Sequence, residues 1–260
     1  LARRSFDATG HLKLFSTSTF PAPLDGDDLP GAMLAASGSA VLDSRVKLLW
    51  RPKRKLRLEL HPTLTLTQGQ PVVGLSTGVA RGGTELLPLT WSVVDDAQLQ
   101  LKARLDRANL RWDVKRLRMT LGRQAVSFGK GRVFTPLDLV APLSPTTIDN
   151  SFKPGVDALR LDLFQGMSGR MTLLGAYVGD AGKDLDDWRM DQATFVAHAK
   201  GSAGENWELE GFAGWLYDEP VLGTSVFYNG GSVGFYGDIN LTLNADDTFV
   251  RAVVGAQYKP

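Results

Sequence analysis

Apolar and polar residues alternate with a period of two along most of this chain. From Leu56 to Leu66 a leucine or proline holds every second position, with Arg57, Glu59, His61, Thr63 and Thr65 between them. That is a strand with one oily face and one wet face. The rhythm returns at Leu99, Leu101, Ala103 and Leu105, at Leu117, Met119 and Leu121, and at Leu159, Leu161 and Leu163. It continues in Val233, Phe235, Ile239 and Leu241 and in Val250, Ala252, Val254 and Ala256. Helical stripes are absent. The pattern predicts about eleven strands, near 10–20, 39–51, 55–67, 97–112, 115–128, 156–165, 169–178, 191–201, 206–217, 230–244 and 248–259.

Connections alternate as well. Short turns fall at 51–55, 113–116, 165–169, 201–206 and 244–247, and long Gly-, Pro- and Asp-rich loops at 21–38, 68–96, 129–155, 179–190 and 218–229. Short turns at one end and long loops at the other suit an outer-membrane barrel, with the short turns in the periplasm. Trp50, Trp112 and Phe164 precede short turns, and Trp207 and Phe249 follow them. Rings with an apolar body and a polar tip favour the membrane–water boundary, so these five predict one girdle at the periplasmic end. Phe20, Phe128, Tyr177, Trp215, Tyr217 and Phe227 are candidates for the other girdle. The leucines of 56–66 then face lipid, and Arg57, Glu59 and His61 face a watery lumen.

Composition narrows the chemistry. Lys+Arg 29 against Asp+Glu 28 leaves a formal charge of +1, which gives no reason to expect a nucleic-acid partner. There is no Cys, which removes disulfides, thiolate metal sites and cysteine nucleophiles. No run of about 18 apolar residues exists to form a transmembrane helix. The 260 residues read as one β-barrel domain over 1–260. The opening at Leu1 reads as a mature form or a piece of a longer chain.

Three places break the alternation. Pro62 cannot donate a ladder hydrogen bond, which predicts a bulge or weak pairing there. The oily parity shifts between Asp106 and Trp112, which also predicts a bulge. Arg123 falls on the oily parity of Leu121. An arginine facing mid-bilayer lipid costs about 2–4 kcal/mol, so either Gly122 turns it inward or it lies near the outer headgroups.

The stretch GRQAVSFGKGRVFTPLDLVAPLSP (122–145), followed by KPGVDALRLDL (153–163), resembles a segment of bacterial outer-membrane β-barrels of the porin and alginate-export-like type. The resemblance covers 122–163 and implies a barrel in the outer membrane of a Gram-negative envelope, with the cargo left open. Elsewhere the likeness is of pattern only, and the AQYKP ending departs from the aromatic terminal strand of such barrels.

No hydrolase, P-loop or zinc-helix motif is present, so no enzyme, cofactor or metal is expected. His11, His61 and His198 stand on separate strands without ligand spacing, and the acidic run 184–191 reads as a solvated loop rather than a calcium site. The wet parity instead supplies Arg45, Lys47, Arg57, Lys102, Arg104, Arg116, Arg118 and Arg160, with Glu59 and Asp162 among them. Glu208, Glu210 and Asp238 stand on later strands. Opposed basic and acidic arcs set a transverse field that orients polar solutes. The expected function is an outer-membrane channel for small polar or anionic solutes, with 129–155 folded inward or capping the mouth. A non-conducting barrel that anchors other envelope proteins is the alternative, and a soluble carbohydrate-binding β-sandwich is a third. Expected partners are outer-membrane lipid and lipopolysaccharide, with other envelope proteins or further copies of the chain as candidates.

Eleven strands leave the count odd, whereas single-chain bacterial barrels are even. A further descending strand is therefore expected outside the chain, from another chain, or unrecognised within 21–38 or 68–96.

Overall fold

The computed structural model describes residues 5–19, 37–69, 86–131, 135–142, 152–177, 193–244 and 247–258. Every regular element in them is a β-strand. In chain order these are β1 (Ser5–Thr19), β2 (Ser37–Lys53), β3 (Leu56–Gly69), β4 (Thr90–Asp95), β5 (Leu99–Val114), β6 (Leu117–Gln124) and β7 (Val156–Gln165). They are followed by β8 (Gly169–Tyr177), β9 (Ala193–Ala203), β10 (Trp207–Leu216), β11 (Glu219–Gly230), β12 (Val233–Leu243) and β13 (Thr248–Tyr258). All but β4 form one antiparallel meander, each paired with the next along the chain; β4 adds to β5 from the side.

Alternation sorts the two faces as the sequence requires. Leu12, Leu64, Leu121, Leu159, Leu173, Leu222, Phe235 and Val254 are exposed on one face. Arg45, Thr65, Asp162, Thr172, His198, Glu210, Asp238 and Asn240 are buried on the other. A soluble sheet hides its oily face; here the oily face is the outer one. This inversion fits a wall standing in hydrocarbon around a polar interior.

Two strands escaped the pattern. β11 occupies 219–230, all but its last residue within the expected loop 218–229. It joins β10 through a two-residue turn in which Tyr217 and Asp218 have φ of 53° and 67°. Positive φ at both central residues is the type I′ hairpin geometry, usually signalled by Asn-Gly. β4 lies within the expected loop 68–96 and folds back on β5 through 96–98. With β11 counted, twelve strands follow one another in the wall among the described residues. The odd number expected from the sequence is thereby corrected, and β13 runs toward the end where β1 starts.

That recount reverses one end of the molecule. The 244–247 turn lies at the long-loop end, and the turn at 231–232 lies at the short-turn end. Phe249 pairs with Thr242, far from the Trp207–Tyr228 end, and shares the parity of Arg251. It does not belong to the girdle expected of it.

The bulge is where both breaks pointed. His61 pairs with Arg107 and Pro62 with Leu105, so Asp106 is the extra residue opposite β3. The strand bulges where Pro62 offers no N–H to the ladder. Its effect is to turn two successive residues, Asp106 and Arg107, to the buried side.

Candidate functional site

The interior is crossed by the segment between β6 and β7. Val126, Phe128, Leu137, Val140 and Ala141 are buried there against Leu174, Val196, Phe212 and Val221 of the wall. The backbone N–H groups of Lys130 and Gly131 donate to Asp238 Oδ2 of β12 at 3.0 and 2.8 Å. The Lys130 ammonium meets Glu208 and lies 3.7 Å from Glu210 of β10. On its return the segment reaches the opposite strands: the Phe152 ring stacks on His11 of β1, centroids 4.9 Å apart. Arg45 and Lys47 of β2 lie over that ring at 4.2 and 4.4 Å. One segment is thus held by strands near both ends of the meander, which requires the wall to wrap around it. The inward folding of 129–155 expected from the sequence holds for its described residues.

Within the segment, Lys153 pairs with Asp138, both almost fully buried. Burial pushes the Asp138 carboxyl up from its ordinary value and the Lys153 ammonium down.

The wall from β1 to β8 is basic. Asp106 receives Arg45 Nη1 at 2.5 Å and Arg107 Nη1 at 3.0 Å, with Arg104 at 4.0 Å. Asp113 is held by Arg111 at 3.1 Å and Arg118 at 2.7 Å. Asp162 is held by Arg160 at 3.0 Å, with Arg170 at 3.8 Å and a hydrogen bond from Thr172 at 2.7 Å. Glu59 bridges His61 at 3.0 Å and Arg57 at 3.4 Å. Lys102 is half-buried on the same parity, alternating with Leu101 and Ala103. Asp106, Asp113 and Asp162 each face two or more guanidinium groups, so a positive excess survives internal pairing.

Across the interior, Glu210 lies 3.0 Å from His198, and Asp238 accepts from Ser225 Oγ at 2.6 Å. Glu208 faces a cavity of about 320 Å³ at the short-turn end, opposite Arg170 and Lys200. The structure therefore brings the anticipated acids together on β10 and β12 and the anticipated cations together on β2, β3 and β5–β7. Between them lies the inner segment, with Lys130 on the acidic side.

Some anticipated residues stand elsewhere. Arg116 is exposed in the turn between β5 and β6, outside the walled interior. Trp50, Trp112 and Trp207 are outward and exposed at the short-turn end. Phe164 shares the inward parity of Asp162, with the Arg118 guanidinium 4.7 Å above its ring. Phe128, expected in the outer girdle, packs instead against His198 and Phe212 inside. Phe227 is held inward at the short-turn end, beneath Lys130. Phe20 lies outside the described residues, as does the acidic run 184–191. Tyr228, which falls in the stretch expected to be a loop, and Phe235 of the expected strand 230–244 continue a ring contact from Trp207.

Arg123 keeps the oily parity at the long-loop end of β6, where the second expected course put it, and Gly122 does not turn it inward. Gly122 has φ of +107°, yet pairing runs unbroken through it on both sides. The Arg123 side chain is sealed from solvent and gripped by Asp157, Nε to Oδ1 at 3.0 Å and Nη2 to Oδ2 at 2.8 Å. Residues 86–87 cover the pair: both backbone N–H groups donate to Asp157, and the Leu87 carbonyl accepts from Arg123 at 2.6 Å. A neutralising partner on the adjacent strand removes the cost of a lone charge in the wall.

No protein-family model and no curated protein matches this sequence. Among solved structures, OccAB4 of Acinetobacter baumannii is similar with a TM-score of 0.53 and 10% identity. The fold is porin-like. The likeness covers 99% of this chain and spans 66% of the OccAB4 chain. At that identity it is a likeness of fold alone.

Proposed function

We propose that this chain forms a channel in a bacterial outer membrane, admitting small polar or anionic solutes past the inner segment. One observation carries the reading: a polar, charge-lined face curled around the inner segment, on a wall whose other face is oily. In lipid every backbone group must be paired, which this wall achieves once its edge strands β1 and β13 are joined, and its lining is suited to water. Arg45, Lys47, Arg57, Lys102, Arg104, Arg118, Arg160, Glu59 and Asp162 line one side of the path, and Glu208, Glu210 and Asp238 the other. The field between them orients a solute and disfavours cations near the basic side. The porin-like fold supports the outer-membrane location and a channel rather than an enzyme.

A second reading is a barrel that does not conduct and anchors other envelope proteins. The ion pairs to β10 and the hydrogen bonds to β12 that tie the inner segment favour it, because a tethered segment narrows the path. Single-channel recording in planar bilayers separates the two. Discrete conductance steps support the channel; a sealed bilayer with inserted protein supports the anchor.

A further inference from the structure

The outer face of the wall carries a notch. β6 pairs with β7 as far as Gln124–Val156, and β8 pairs with β9 as far as Tyr177–Ala193. Between them, β7 and β8 pair only up to Ala158–Ala176. Glycine and alanine line the gap, leaving a cavity of about 430 Å³ rimmed by Leu87, Leu121, Leu159 and Phe195. A second hollow of about 580 Å³ shares Leu159, Gly175 and Phe195 with the first and continues past Leu161 and Leu173. The two form one groove, running from the long-loop end toward the middle of the wall.

Polarity is ordered along this groove. Its long-loop end holds the Arg123–Asp157 ion pair, and the remainder is apolar. An apolar groove that ends at a self-neutralised ion pair near the membrane boundary matches the chain of a bilayer lipid rather than its headgroup. The groove is also continuous with the exposed leucines of the lipid-facing surface. A second barrel would present a convex wall, which leaves a narrow notch unfilled, whereas an acyl chain is narrow and flexible enough to enter.

We propose that this groove seats one acyl chain of a bilayer lipid. The inference rests on the membrane reading above. Arg123 is already engaged by Asp157 and by the Leu87 and Leu105 carbonyls, so selection acts on the chain and not on a headgroup charge. Burial of successive methylenes supplies the affinity.

Gly175 gives a clean handle. A Cβ there would meet only the Phe195 ring, at 3.7 and 3.8 Å, which is ordinary contact. Gly175→Leu therefore fills the groove without straining the backbone. Ala252→Leu, on the outward parity of β13, adds comparable bulk elsewhere. The test is native mass spectrometry of each protein released from micelles containing dimyristoyl phosphatidylethanolamine. We expect one lipid retained by the parent and by Ala252→Leu, and at least tenfold less on Gly175→Leu. Equal retention by all three, or none on the parent, overturns the proposal. Lipid-free dimers or trimers abolished by Gly175→Leu overturn it in favour of a second copy. Insertion into vesicles of the same lipid is measured alongside: a parent that stays soluble and never inserts fails the membrane reading itself, a result distinct from loss of the lipid adduct.

Discussion

Asp106 and Arg45 meet at 2.5 Å across the inner face of the wall. The meeting depends on a single surplus residue. Asp106 is the bulge opposite His61 and Pro62, and it gathers Arg45, Arg104 and Arg107 around one carboxylate. Removing it leaves three buried or nearly buried guanidinium groups with less compensation. Breaking a buried pair from one side costs about 3–5 kcal/mol. Asp106→Ala is expected to lower unfolding stability by that order, seen as a reduced urea midpoint for the protein in detergent. Asp113→Ala, at a more exposed pair, is expected to cost less than about 1 kcal/mol.

Charge selectivity should follow position in the interior. Arg118→Gln with Arg160→Gln removes two cations from the basic side and is expected to shift the reversal potential toward cation preference in a salt gradient. Arg116→Gln serves as the control, because Arg116 is exposed in a turn. Equal shifts from both proteins, or none from the double variant, would count against the charged-arc mechanism.

Gly223 leaves room for the inner segment. A Cβ on it would lie 2.2 Å from Leu137 Cδ2, and Leu137 is fully buried. Gly223→Val should push the segment off the β11 wall at a cost of about 1–3 kcal/mol. Protease sensitivity within 125–142 is expected to rise while the wall stays intact; an unchanged digestion pattern would show that Leu137 simply re-packs.

The Lys153–Asp138 pair should behave as a unit. Lys153→Met leaves the Asp138 carboxylate buried without its partner and is expected to lose about 3–5 kcal/mol. Asp138→Leu combined with Lys153→Met should recover most of that loss. Burial favours the neutral form of each group, so the apolar double replacement is well tolerated by the site. A double-mutant cycle on unfolding midpoints measures the coupling.

Much of this architecture is readable in the chain because membrane strands must alternate. The leucine rows of β3, β5, β6 and β7 left no other choice of face. Pro62 and the slipped parity after Asp106 marked one bulge from both of its strands. β11 was hidden for the opposite reason. Its inward side carries Val221, Gly223 and Phe227, which serve the inner segment, so its polar rhythm is blurred. Its turn, Tyr217–Asp218, lacks the usual glycine. Phe164 and Phe249 show that standing next to a turn does not fix which way a ring points. The Arg123–Asp157 and His198–Glu210 pairs depend on register between strands, and no local pattern encodes register.

The inner segment has a consequence for the order of assembly. Gly131 bonds Asp238, 107 positions along the chain, and Phe152 stacks on His11 near the other end of the meander. The segment's contacts with β10 and β12 can form only once those late strands are in place. Contacts so distant along the chain slow folding, because the entropy of closing the loop is lost before the contacts repay it. Those last contacts are accordingly expected to be the slowest to form.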